Sequence, residues 1–183
     1  MSILGIRKGE RSLTLLMFLY FFLVIASFWF LKPVRSALVL EKIGADSIRE
    51  LKVITAIVSG FVVVMYSMIV PRLSRELLAY LVVGSFSWLL AFFAFFFINF
   101  GSFDVLYYSF YVFLDLFITV NVALFWTFLA DISNPDSANR LYGFIGAGGV
   151  IGGFVGSFSC KHVISWAGTA QMMIFVLIAY LLI

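Results

Sequence analysis

Lys32 and Arg35 stand three residues apart in an otherwise apolar stretch, so on a helix they share one face. Phe28 lies one turn before Lys32 on the same stripe. Two cations on one face, one of them a planar guanidinium able to bind two oxygens at once, suit a phosphate or carboxylate ligand. Asp115 is the third ionisable group set among apolar residues. At 100° per residue Tyr108, Tyr111, Asp115, Thr119 and Trp126 fall within one helical sector, and such a stripe faces a bundle interior or a water-lined cavity. Charges inside a bilayer cost about 2.5–3.5 kcal/mol each on insertion scales, which makes them functional candidates by default. Asp115 can pair with Lys32 or Arg35, hold a coupling proton or touch substrate. Blander readings stand beside these. Lys32 lies about 19 residues into its apolar stretch, roughly 28 Å at 1.5 Å per residue, so both cations could snorkel to the far interface. Asp115 could equally serve a structural ion pair or interhelical hydrogen bond.

The run from Gly143 to Gly156 has a different role. It looks superficially like a dinucleotide-binding glycine loop, but that motif follows a strand in a βαβ unit, and no strand pattern exists here. No phosphate loop ending in Gly-Lys-Ser/Thr is present, so an ATPase motor is unsupported. Gly148, Gly149, Gly152, Gly153 and Gly156 instead give overlapping small-xxx-small spacings that let helix backbones approach closely. Asn121, on the opposite face from Asp115, reads as helix-packing glue. The run Phe92–Phe97 reads as lipid-facing bulk. Cys160 and His162 carry no partner pattern, and one cysteine and one histidine make neither a disulfide nor a metal cluster. No metal and no cofactor is expected.

These residues must be held by membrane-spanning helices. The chain has 183 residues, 64% hydrophobic and only 11% charged, with a mean hydropathy of +1.15. Soluble domains carry about 25% charged residues, so a water-soluble enzyme is excluded. A net charge of +3 gives no reason to expect a nucleic acid polymer as partner. At about 28–30 residues per span and loop the length accommodates roughly six spans. The apolar segments place them at about 13–40, 51–70, 77–98, 105–130, 141–158 and 168–183. Ser47-x-x-Glu50 has the pattern of a capping box at the start of span 2, Pro71 ends that span, and Asn134-Pro135 reads as a cap followed by proline at the first position of span 5. No small-residue cleavage site follows the basic start, so span 1 is expected to be retained. Only about 16 residues of the sixth span are present against the usual ~20, the expected pattern for the N-terminal part of something longer. With the N-terminus in the cytoplasm, Arg7, Lys8, Arg11, Arg72, Arg75 and Arg140 lie inside, against Lys42, Arg49, Lys52 and Lys161 outside. Arg72 and Arg75 would then anchor topology from the loop between spans 2 and 3.

Three stretches carry a family resemblance. Phe30-Leu-Lys-Pro-Val-Arg-Ser-Ala-Leu38 resembles the first-span "R-x-x-K/R-D-x-L" element of the ATP/ADP translocase (nucleotide transporter) family, a major-facilitator-like branch of carriers. Gly44-Ala-Asp-Ser-Ile-Arg-Glu-Leu-Lys52 is similar to that family's "G-A-x-x-I-x-x-L-K" loop. Leu124–Asp131 followed by Ser137–Gly143 resembles its "L-F-W-x-F-A-N…E-A-K-R-F-Y" stretch. The resemblance implies a twelve-span exchanger, of which this chain is the first half, a major-facilitator-like bundle of six helices broken off in the sixth. It implies nucleotide phosphates at Lys32 and Arg35 and a functional carboxylate in span 4, best matched by Asp115, with Tyr111 and Thr119 on the same stripe. Ser36 stands where the family has an acid, Lys32 where it has arginine, and Asn139 where it has lysine. These departures fit a divergent bacterial member with a substrate other than ATP among its options. The major-facilitator loop signature survives between spans 2 and 3 only as the remnant Pro71-Arg-Leu-Ser-Arg75.

The expectation is an all-α, multi-pass protein of a bacterial inner membrane, a carrier rather than an enzyme. Its partners would be an anionic small molecule of nucleotide type, the lipid bilayer and a missing C-terminal six-helix half. A major-facilitator-type carrier of another metabolite or drug, and a non-transporting membrane anchor or regulatory module, stand as alternatives.

Overall fold

The computed structural model describes residues 10–100, 103–133, 135–164 and 168–182, with backbone alone at 135–140, 169 and 170. Among them there are six α-helices and no strand: α1 (Arg11–Lys42), α2 (Ala45–Ile69), α3 (Arg75–Asn99), α4 (Asp104–Ile132), α5 (Pro135–Val163) and α6 (Thr169–Tyr180). The first five are long and apolar enough to cross a membrane, and α6 has 12 residues. Helices satisfy every interior backbone group within the segment, which is what a bilayer demands of a span.

α1, α3, α4 and α5 begin and end beyond the apolar limits read from sequence and α2 begins upstream of its own, because polar residues continue a helix once it has left hydrocarbon, whereas α6 falls inside the 168–183 read for it. α1 passes through Pro33 and reaches Lys42. Pro33 faces outward, so its ring meets solvent or lipid rather than a neighbour, at the loss of one backbone hydrogen bond. α2 starts at Ala45, capped by Gly44 at φ 105° rather than by Ser47. The Ser47–Glu50 capping box is therefore a correction. Glycine's left-handed geometry turns the chain immediately after α1, so the helix begins upstream of Ser47, whose hydroxyl instead lies 3.5 Å from that of Tyr108. A side-chain cap does form at α3, where the Ser74 hydroxyl accepts from the Leu77 N–H at 3.4 Å. A short 3-10 turn at Val70–Arg72 carries Pro71, which ends α2 as expected. α5 begins at Pro135, where a missing N–H leaves nothing unsatisfied, while Asn134 lies outside the described residues.

α1 packs on α5 and α4, α2 on α4, and α3 on α6. Exchanging α1 with α4, α2 with α5 and α3 with α6 maps these four main pairs onto themselves, whereas the smaller α1–α2 contact has no α4–α5 counterpart of its extent among the described residues. The α1–α5 seam is parallel and glycine-lined. A methyl group on Gly148 would stand 2.7 Å from the Phe18 carbonyl oxygen and one on Gly152 2.5 Å from that of Phe22. Gly149 and Gly156 would meet the Phe21 ring and the Ala26 carbonyl. The close-packing role expected of these glycines is what the geometry requires of Gly148, Gly149, Gly152 and Gly156, whereas Gly153 only touches a ring.

Aromatic rings fill the other seam. Phe93 of α3 lies buried against Phe110 and Phe113 of α4, with ring centroids 5.3 Å and 5.0 Å away. The reading of Phe92–Phe97 as lipid-facing bulk thus holds for Phe92 and Phe95, which are exposed, and fails for Phe93. Six consecutive helical residues span more than a full turn, so some of them must meet the neighbour. Asn121, fully buried in α4, accepts a 2.6 Å hydrogen bond from the Tyr180 hydroxyl of α6, the interhelical glue its position implied. Cys160 also lies in this core.

Candidate functional site

α1 and α4 run antiparallel, and their seam brings the sequence candidates together. Arg35 Nη1 lies 2.8 Å from Asp115 Oδ1. The same Nη1 donates to the Tyr111 carbonyl oxygen at 2.8 Å, and the guanidinium carbon sits 4.1 Å from the centre of the Tyr111 ring. Arg35 is buried, at 4% exposure, and Asp115 is partly so. Asp115 falls about 16 Å along α4 from its first residue at 1.5 Å per residue, so the pair is set back from the end of the helix. Opposite charges in contact cancel, which turns two costly groups into one neutral unit. Arg35 Nε remains buried with no hydrogen-bond partner, an open donor beside the pair.

Lys32 lies one turn further from that end, about 4.5 Å deeper along α1. It is half-buried and makes no ion pair among the described residues. Its ammonium rests 4.1 Å from the centre of the Trp29 ring and 5.4 Å from that of Phe28. Cation–π contact is worth about 0.5–2 kcal/mol, less than the insertion cost of a charge, so Lys32 carries uncompensated positive potential. Phe28 was legible as its neighbour on the stripe. Trp29 was not, because i to i+3 spacing does not say which ring an ammonium will choose.

The α4 stripe divides along its length. Tyr111 and Asp115 face Arg35, Tyr108 reaches toward Ser47 of α2, and Trp126 stacks edge-on against Phe21 of α1, centroids 5.8 Å apart. Thr119 donates its hydroxyl to the Asp115 carbonyl at 2.7 Å, leaving only its lone pairs toward a ligand. Arg75 of α3, read as a topology anchor, forms a 2.5 Å ion pair with Asp131 at the far end of α4. Asp131 lies within the third resembling stretch, but nothing in its spacing pointed to Arg75. Among the described residues no group of His, Cys, Asp and Glu could hold a metal ion.

A bundle of long apolar helices, with the Arg35–Asp115 ion pair set in one seam and Lys32 one turn away, defines a multi-pass helical membrane protein. A family model described as TLC ATP/ADP transporter matches residues 1–109. The chain belongs to the TLC ATP/ADP transporter family. The match includes Lys32, Arg35 and the first two resembling stretches, whereas Tyr111, Asp115, Thr119, the third stretch and the glycine run lie beyond it. No curated protein and no solved structure matches the chain.

Proposed function

We propose that the chain forms the N-terminal six-helix half of an antiporter that exchanges ATP-type nucleotides by alternating access. The observation that carries this reading is Lys32, a cation without a carboxylate partner among the described residues, one turn from a neutral Arg35–Asp115 pair. Such a site attracts an anion without holding it against a fixed countercharge, which is what a carrier needs in order to release. Arg35 and Asp115 neutralise each other when the site is empty, and phosphate oxygens compete with Asp115 for the guanidinium when it is filled. Tyr111 and Thr119 shape the same wall. The α1/α4, α2/α5 and α3/α6 equivalence supports a major-facilitator-like half, whose partner half closes the other side of a site near the bilayer midplane.

In this reading no bond is made or broken, and no metal or cofactor takes part. The protein resides in a bacterial inner membrane with its N-terminus in the cytoplasm. In the full-length protein Lys32→Ala should abolish uptake of labelled ATP and ADP into loaded proteoliposomes, with normal membrane insertion. Wild-type protein that takes up neither nucleotide would refute the substrate, and normal uptake by Lys32→Ala would refute the site.

A further inference from the structure

We infer that Trp29 is a positioning residue of the anion site, holding Lys32 as the ligand-facing cation while Arg35 is withheld by Asp115 and Tyr111. This rests on the carrier reading above and divides its two cations by role. Arg35 has its Nη1 engaged twice and its guanidinium carbon 4.1 Å from the centre of the Tyr111 ring, so a ligand must compete for it. Lys32 has only π-faces as partners, which leave N–H donors of its ammonium open to an incoming phosphoryl oxygen. Its direction is set by the helix. Phe18, Phe22 and Ala26 of α1 meet the glycines of α5, and Arg35 meets α4. At 100° per residue Lys32 points between those two helices rather than away from the bundle.

Trp29 is held from the α5 side. Gly153 presents a surface on which a methyl group would lie 3.4 Å from indole Cδ1 and Nε1, so the ring edge rests there without being crushed. Pro33 follows four residues after Trp29 and has no N–H, which leaves the Trp29 carbonyl without its helical donor. Ring and ammonium thus stand within one turn of α1. A phosphoryl anion arriving there binds the ammonium's outward N–H groups while the indole face still holds it, and the indole registers the change in the field of its cation.

The test uses full-length protein in detergent, with Trp29 emission taken as the difference between wild type and Trp29→Phe. Pyrophosphate and ATP should each change that difference saturably, and Lys32→Gln should abolish the change. In proteoliposomes Trp29→Ala should raise half-saturating ATP by about tenfold with the maximal rate largely kept, and Trp29→Phe, which retains a π-face, should recover most of the affinity. A pyrophosphate response without nucleotide exchange would support this assignment while refuting the nucleotide reading. Nucleotide exchange with silent Trp29 emission, or with unaltered half-saturation in Trp29→Ala, would overturn the assignment and leave the carrier reading standing.

Discussion

Lys32 and Arg35 are separated by three positions on one helix, yet a partly buried carboxylate meets one and aromatic rings meet the other. Removing one member of a buried pair leaves an uncompensated charge, at a cost of about 3 kcal/mol or more, whereas replacing both with apolar groups of similar volume is close to neutral. Arg35→Met and Asp115→Leu should each lower the thermal midpoint in detergent, and the double variant should recover most of the loss. Additive losses in the double variant would contradict the pairing. Sparse charge made the partnership legible in sequence, since only two cations lay within reach of Asp115. The difference in role between the cations was not legible, because it depends on where an indole and a tyrosine ring settle once three helices have packed.

At the scale of elements, the α1–α5 seam leaves no room for side chains on its glycines. Gly152→Leu should prevent accumulation of folded protein, because even its Cβ would collide with the Phe22 carbonyl. Gly60→Ala, where nothing lies within 4 Å, should be neutral or stabilising by up to about 1 kcal/mol. Thermal scanning of detergent-solubilised protein separates the two outcomes. Tyr180→Phe removes the hydrogen bond to Asn121 that ties α6 to α4 and should cost about 0.6–1.7 kcal/mol. The glycine spacing announced its purpose because small residues four apart have few other uses in an apolar helix. Helix ends were harder to place. The turn at Gly44 overrode a plausible serine cap, and Pro33 left α1 unbroken because its ring faces outward.

For the whole molecule, an all-helical membrane bundle with five long apolar helices and a shorter sixth followed from apolar segment lengths. The pairing of α1 with α5 and α3 with α6 did not, since it arises from tertiary contacts between segments of similar composition. With the N-terminus inside, a cysteine placed at Arg72 in a Cys160→Ser background should resist an impermeant maleimide added to intact cells and react in inverted vesicles. The reverse pattern would invert the topology.

On the proposed function, Lys32 stands in the path of an exchanged nucleotide. Counterflow of labelled ADP against internal ATP, in proteoliposomes holding equal amounts of full-length wild-type and Lys32→Gln protein, tests it most directly. Saturable exchange in the wild type that disappears in the variant is the result predicted. Equal exchange by both proteins, or none by the wild type, would contradict it.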